Sequence, residues 1–264
     1  MLKYLKTNIK FLWFIMKSSR LINRSLLCFS LILGYASNSI ADILSNVPEE
    51  GQYQAEYRVY WHGIYAANAY QAVERLANNH YIAHMRVTPR LPFIPFEYDE
   101  KSTFVDTGSV IQPVNFSFKW REKKKRLNGS VRFDWENHQH TTFGDAFIEE
   151  PMTLLSLPQD KVSLVFQLSK YLEKNSALST GKTWSHQVVE AKKQKTYVFE
   201  ILKKEQLKTP LGVLQTLKIR QSAANSARYS HLWFAIDKQY LLVKIAQFKQ
   251  DNLMGYTLIH KLQF

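Results

Sequence analysis

Three acidic side chains near the middle of the chain have the spacing that acid/base catalysis could use. Glu97, Asp99 and Glu100 lie within four residues and are flanked by Phe96 and Tyr98. Paired carboxyl groups can divide the roles of general acid and general base, as in glycoside hydrolysis. On an extended strand Glu97 and Asp99 would point to the same face. Two interpretations follow, a catalytic pair or a solvated loop or rim of carboxylates, and the residue pattern favours the second.

His138 and His140 are the second candidate for chemistry, because residues two apart on a strand share a face and both imidazoles could bind one metal ion. A third ligand would have to come from another strand, and residues 137–140 are typical of a polar turn. The sequence contains no motif of a serine hydrolase, zinc protease, phosphate-binding loop or dinucleotide fold. We therefore predict no catalytic residues, no metal and no cofactor, and favour a protein that is not an enzyme.

An apolar, proline-rich segment, TPRLPFIPF at residues 88–96, is the candidate for ligand binding. Each proline lacks the N–H that a central strand would need, so the segment is not a central strand. If it covers the mouth of a curved sheet, it would contact an apolar ligand, and the speculative binding residues are Leu91, Phe93, Ile94 and Phe96. The alternative, which the pattern favours, is a loop that covers the end of the sheet and completes the core.

A basic run, REKKKR at residues 121–126, joins two predicted strands and is interpreted as an exposed hairpin tip. Basic residues near a charged membrane contribute about 1 kcal/mol each, so the tip could contact anionic lipid head groups or lipopolysaccharide phosphates. Simple solvation of the tip is the favoured interpretation.

Residues 17–41 have the three parts of a secretory signal peptide. Basic residues come first, an apolar stretch follows at 26–36, and Ser39-Ile40-Ala41 supplies small residues for a signal peptidase. The apolar stretch is shorter than the roughly 20 residues that span a bilayer. We predict that residues 1–41 are an N-terminal extension and cleavable signal peptide, with cleavage near Ala41 and export to the periplasm.

Two alternatives to cleavage remain open. The additional apolar run Phe11–Met16 favours an uncleaved membrane anchor, although no stop-transfer charge cluster follows the apolar stretch closely. Lipidation at Cys28 is disfavoured because that residue lies inside the apolar stretch. Met16, just before the signal peptide, is an alternative start to Met1.

Removal of residues 1–41 changes the composition of the chain. The full sequence carries 35 basic and 22 acidic residues, whereas the mature chain carries 29 and 22, a net charge of +7 instead of +13. That charge argues against a nucleic-acid-binding protein. Since Cys28 is the only cysteine, the mature chain has no disulfide, thiol nucleophile or thiolate metal site. Residues 42–264 suit one β-rich domain without a membrane span.

Alternation with a period of two dominates the mature chain. Between Tyr53 and Trp61 the apolar side chains fall on one face of the predicted strand and the polar side chains on the other. A hairpin is predicted around Asn128-Gly129. We predict about eleven strands, at 52–62, 64–76, 81–88, 114–121, 131–135, 184–189, 196–202, 213–221, 230–236, 241–248 and 256–264. The fold class is mainly β, as a single strongly curved antiparallel sheet or barrel-like sheet.

One segment, residues 160–174, departs from this alternation and predicts the only substantial helix. Asp160 can cap its first turn. A helical stripe would contain Val162, Val165, Phe166, Ser169 and Leu172.

Several short motifs occur in a characteristic order: Tyr53–Gly63, Pro158-Gln159-Asp160 with Ser163, Thr209–Gly212 followed by Leu217–Ile219, Leu232–Asp237, and Val243–Ile245. Together they resemble a family of exported bacterial proteins catalogued as domain of unknown function 3108. Ala66–Ala69 replaces the glycine-rich second strand of that family, and Leu242 replaces a common proline. The resemblance implies an envelope location and β architecture, and no catalytic residues.

These observations lead to three hypotheses of function. We favour a non-enzymatic periplasmic protein that binds or carries a lipid or other apolar envelope component. The second is an envelope scaffold or assembly factor that acts through protein contacts, and the least favoured is a polysaccharide hydrolase using acids near Glu97. A cavity enclosed by the sheet would favour the first hypothesis, and a fully packed interior the second. The sequence does not indicate the oligomeric state.

Overall fold

Extended segments follow one another along almost the whole described chain. The computed structural model describes residues 52–264, except 91–95, 123–124, 146–148, 176, 192 and 225. The strands are β1 Tyr53–Trp61, β2 Ile64–Arg75, β3 His80–Pro89, β4 Phe96–Asp106, β5 Ile111–Glu122, β6 Lys125–Asp134, β7 Gln139–Gly144, β8 Met152–Thr153, β9 Thr183–Glu190, β10 Lys193–Thr209, β11 Gly212–Ala223, β12 Arg228–Ala235, β13 Leu241–Lys249 and β14 Asn252–Gln263.

All fourteen strands belong to one antiparallel sheet in which strands that follow one another along the chain pair with each other, except β8 and β9, which lie at its two ends. The pair β1 and β14, the first and last strands, lie side by side near the middle of the sheet, with Tyr57 opposite Ile259. Two meanders therefore extend in opposite directions from a central pair formed by the first and last strands. The prediction of a mainly β, single antiparallel sheet is confirmed.

The strand count is fourteen instead of about eleven because β4, β7 and β8 were not predicted. β4 carries the acidic cluster, and β7 begins at Gln139, within the segment predicted as a polar turn. The predicted turn at Asn128-Gly129 is wrong, since both residues lie inside β6 and pair with Lys119 and Phe118. The predicted hairpin of these two strands is confirmed, because β5 and β6 pair with each other up to Glu122 and Lys125, their last and first residues.

The α-helix of the described residues, α1 at Ser163–Lys174, confirms the predicted helix. Its start depends on Asp160, whose Oδ1 accepts hydrogen bonds from the backbone N–H groups of Val162 at 2.7 Å and Ser163 at 2.8 Å. The predicted stripe is partly wrong, because the buried side chains of the helix are Ser163, Leu164, Gln167, Leu168 and Leu172. No helix in the described part of the chain has the length and hydropathy to span a bilayer.

The helix packs against one face of the sheet and joins its two halves. Leu168 and Leu172 lie in one apolar cluster with Phe199 of β10 and Phe234 of β12. Phe166 contacts Phe104 of β4, with ring centroids 5.1 Å apart. The face of the sheet that carries these aromatic side chains is therefore the inner face.

The two ends of the sheet approach each other, although β8 and β9, its outermost described strands, do not pair. The segment before the helix connects these ends. Gln159 exchanges backbone hydrogen bonds of 2.8 Å with Gln187 and Val189 of β9. The Gln194 side chain donates to the carbonyl of Thr153 at 2.6 Å. The sheet thus curls into a barrel-like form that is completed by the chain between β8 and α1.

Candidate functional site

A cavity of about 180 Å³ lies inside the curled sheet, beneath α1. Strands from both halves of the sheet and the helix contribute to its wall. Most of that wall is apolar, with contributions from Leu164, Leu168, Val188, Leu232, Phe234 and Leu242. The period-two pattern of inward side chains in each strand accounts for this lining, because alternate side chains of a strand face the same side.

Several polar side chains interrupt the apolar wall of the cavity. Glu100 on β4 is 1% exposed, and one of its oxygens accepts a hydrogen bond from Trp120 Nε1 at 2.9 Å. Burial raises the pKa of the Glu100 carboxyl, and the nearby Lys161 charge opposes that rise. The neighbouring carboxyl groups of Asp160 and Glu190 raise the pKa further. A carboxyl group in such surroundings favours its protonated form.

Asp160 is fully buried next to this cavity and anchors the start of the helix to the sheet. Its Oδ2 accepts a hydrogen bond from Ser102 Oγ on β4 at 2.6 Å, while its Oδ1 caps α1. Burial raises the pKa of the Asp160 carboxyl, against the effect of the hydrogen bonds that stabilise its charge. The capping role predicted for Asp160 is confirmed.

Glu190 of β9 also lines the cavity, and its carboxylate is held by two partners from β10. Lys195 Nζ lies 2.5 Å from one oxygen and Tyr197 donates its hydroxyl hydrogen to the other at 2.5 Å. The Tyr57 hydroxyl shares its single hydrogen between the carbonyl oxygen of Leu242, 2.9 Å away, and Oε1 of Gln71 on β2, 3.2 Å away. These polar groups therefore have partners within the protein.

Two further groups in the wall lack such partners. Lys161 lies just before α1 with its Nζ 4.4 Å from the centre of the Trp120 ring, and no carboxylate of the described residues lies within 4.0 Å of it. Thr257 of β14 is 6% exposed, and its Oγ1 has no hydrogen-bond partner among the described residues. Both side chains line the cavity.

The predicted acidic cluster is divided between the two faces of β4. Glu97 and Asp99 share a face, as predicted, and there they meet basic residues. Arg86 Nη2 lies 3.2 Å from Glu97, and His84 Nε2 lies 2.8 Å from Asp99. Glu100 points to the inner face, so the three acids do not form one site.

The proline-rich candidates cannot be placed in the same way. Leu91, Phe93 and Ile94 lie outside the described residues, and Phe96 begins β4 without a described side chain. The expectation that they bind an apolar ligand stays a prediction. The signal peptide and the cleavage position near Ala41 also lie outside the described residues.

The two histidines of the HxH motif do not face one another. His138 occupies a turn with a φ of 52°, whereas His140 is fully buried in β7. Burial lowers the pKa of His140, which favours the neutral imidazole. Within the described residues no group of three metal-ligating side chains is found.

Lys161, Gln71, Glu190 and Thr257 were missed at the sequence level, although one signal was present. Gln71 stands at an inward position of β2 between Ala69 and Val73, where an apolar residue is expected. Polar residues at inward positions of otherwise apolar strand faces are a signal for an interior site.

We expect Glu100→Gln to gain stability relative to the wild type as the pH rises from 4 to 7. Because its pKa is raised, Glu100 is protonated more readily in the folded state than in the unfolded chain. The stabilisation that this carboxyl group gives to the folded state is complete below its unfolded pKa of about 4.3 and is lost as the pH rises through its folded pKa. The loss in free energy of unfolding is about 1.4 kcal/mol for each unit by which the folded pKa exceeds the unfolded pKa. Glutamine stays neutral and avoids this loss.

Urea unfolding of both proteins at pH 4 and pH 7 measures this change. Glu97→Gln is the matched control, because Glu97 lies on the opposite face of the same strand in ion pairs. A stability difference between Glu100→Gln and wild type that is the same at both pH values would contradict the prediction.

Comparison with known structures supports the barrel-like description. A β-barrel-like protein of domain of unknown function DUF1849 from Brucella abortus has a TM-score of 0.53 at 10% identity, covering 81% of this chain and 97% of its own. This similarity establishes the fold alone.

Two other solved structures are less similar. A Bacteroides fragilis protein described as exported, with a YmcC-like fold, has a TM-score of 0.34 at 10% identity, covering 82% of this chain and 98% of its own. A Parabacteroides distasonis protein described as a lipoprotein has a TM-score of 0.32 at 11% identity, with coverages of 82% and 97%. Scores at this level do not establish a common fold.

No curated protein matches the chain in sequence. One family model does match, over residues 56–256, which is about three quarters of the chain. This range includes most of β1, the first five residues of β14 and every strand between them, and the motifs at 158–163 and 209–212 lie within it. The protein therefore belongs to the family described as Protein of unknown function (DUF3108).

Proposed function

We propose that the protein binds the apolar part of a small envelope amphiphile in the cavity beneath α1 and acts as a non-enzymatic carrier in the periplasm. The observation that carries this proposal is the cavity itself, whose wall is formed by apolar side chains from both halves of the sheet and from the helix. A concave site with a mostly apolar wall and a few polar groups is typical of a small-molecule binding site.

The volume of the cavity limits the ligand. A cavity of about 150 Å³ in another protein accepts benzene, whereas typical sites for small molecules measure about 300–1,000 Å³. At about 180 Å³ this cavity suits a compact apolar group or a single short alkyl chain. A whole diacyl lipid would require α1 to move away from the sheet.

The periplasmic part of the proposal is supported by the sequence of the first 41 residues. Its basic start, short apolar stretch and Ser39-Ile40-Ala41 have the order of a cleavable signal peptide. An apolar molecule that must cross an aqueous compartment needs a binding protein that shields it from water.

The direct test is to purify the mature protein from the periplasm and to analyse an organic extract by mass spectrometry. A stoichiometric amphiphile in the extract is the expected result. An extract without a bound molecule, together with no binding of added alkyl chains, would overturn the proposal.

We expect Ala69→Phe to weaken binding of 1-octanol at least tenfold. Ala69 lies in the cavity wall, so a phenyl ring there would occupy the space available to a ligand. Isothermal titration calorimetry measures the affinity. Overpacking costs about 1–3 kcal/mol of stability, so unfolding curves must show that the variant is folded under these conditions.

Asn68→Phe is the matched control, because Asn68 is the exposed neighbour on the other face of β2. It carries the same added bulk outside the cavity and should bind as the wild type does. Equal binding by Ala69→Phe and wild type would place the ligand elsewhere.

A further inference from the structure

We propose that the ligand carries an anionic group, a carboxylate at the end of its apolar chain, and that the ammonium group of Lys161 binds it. The inference rests on the proposed function, because it identifies the polar end of the molecule whose apolar end would fill the cavity.

Lys161 is the central observation. Its ammonium lies over the Trp120 ring at 4.4 Å, and its side chain forms part of the cavity wall. None of the carboxylates in the described segments lies within 4.0 Å of it, so its charge is compensated only by the face of the ring and by more distant groups. A cation next to apolar surface favours an anion that can form a direct hydrogen bond with it.

Uncompensated neighbouring acids would repel such an anion, but two of the three acids already have partners within the protein. Asp160 accepts hydrogen bonds from Ser102 and from two backbone N–H groups at the start of α1. Glu190 is bound by Lys195 and by the Tyr197 hydroxyl. Their charges are therefore stabilised within the protein.

Glu100 is the third acid and has a different role. Burial raises its pKa, which favours the protonated carboxyl group. A protonated Glu100 can donate a hydrogen bond to a carboxylate, while Lys161 supplies the positive charge. The proton stays on Glu100 when the ligand carboxylate binds, and no covalent bond is broken.

Thr257 supplies an independent observation at the same cavity. Its hydroxyl is buried, lines the cavity and has no partner among the described residues. A buried polar atom without a partner costs about 1–3 kcal/mol, and a polar group of a ligand would remove that cost. The cavity therefore contains polar positions that the protein itself does not satisfy.

Calorimetric titration of the mature protein with octanoate, 1-octanol and octylamine tests the inference. These probes share one chain length and differ in the charge of the head group. We expect octanoate to bind at least tenfold more tightly than octanol. Lys161→Met should lose at least tenfold in affinity for octanoate and should bind octanol as the wild type does.

Two variants control for structural effects. Lys161→Arg retains the charge and should retain the preference for octanoate. Lys119→Met removes an exposed lysine of β5 and should change neither affinity.

The outcomes separate this inference from the proposed function. Equal affinities for octanol and octanoate, tighter binding of octylamine, or unchanged octanoate binding by Lys161→Met would overturn the anionic head group and leave the apolar site intact. No binding of any of the three probes would overturn the proposed function and this inference with it.

Discussion

Asp160→Ala is expected to lower the free energy of unfolding by about 3 kcal/mol. Loss of a helix cap costs about 0.5–2 kcal/mol, and a buried hydroxyl left without its acceptor costs about 1–3 kcal/mol. Asp160 serves both purposes, because it caps α1 and accepts the hydrogen bond of Ser102. The cost of burying its carboxyl group, seen in its raised pKa, offsets part of this loss.

Urea unfolding followed by circular dichroism measures the effect. Asp160→Asn retains one acceptor oxygen and should lose less, while Asp237→Ala, at an exposed position, should change stability by less than about 0.5 kcal/mol. A loss below about 1 kcal/mol for Asp160→Ala would mean that the helix does not depend on this carboxyl group.

Phe199→Ala is expected to lower the free energy of unfolding by about 3–5 kcal/mol, as large-to-small changes of a fully buried phenylalanine do. Phe199 of β10 has no exposed surface and packs in the cluster that attaches α1 to the sheet. Its ring centre is 5.6 Å from that of Trp184 on β9. Removal of the ring leaves a cavity under the helix that neighbouring strands can fill only in part.

Val198→Ala is the matched control on the same strand. Val198 points to the opposite face and is 39% exposed, so its truncation should cost less than about 1 kcal/mol. Similar losses for the two variants would contradict the assignment of the inner face.

The substitutions of Asp160 and Phe199 should also affect ligand access to the cavity. Asp160 and Phe199 both hold α1 against the sheet, and α1 covers the cavity. Variants that loosen the helix should therefore alter access to the cavity as well as stability. A comparison of octanol association rates in Asp160→Asn and wild type would measure that access.

Much of the fold could be predicted because it depends on local alternation. In β1 the buried residues Ala55, Tyr57 and Val59 alternate with less buried neighbours, and this pattern is visible without any knowledge of the rest of the chain. The helix was predictable for a similar reason, since a continuous segment without turn residues follows a capping aspartate.

β4 shows where such reasoning fails. Its inner face contains Glu100 and Ser102, so the strand does not alternate between apolar and polar residues. Both polar groups are tolerated because distant residues satisfy them, Trp120 from β5 and Asp160 from before the helix. A local pattern cannot reveal partners that lie twenty or more residues away.

The sequence by itself determined the mainly β class, one helix near residues 160–174 and the family resemblance, because these depend on side-chain period and short motifs. The tertiary structure alone decided that β1 and β14 pair and that a cavity remains beneath the helix. It also decided that Glu97 and Asp99 lie in ion pairs on one face of β4 while Glu100 is buried on the other. These features depend on strand register and on contacts between distant segments. For that reason the three acids that suggested catalysis do not form one site: two of them lie in ion pairs on one face of β4, and the third is a single buried carboxyl group on the other face.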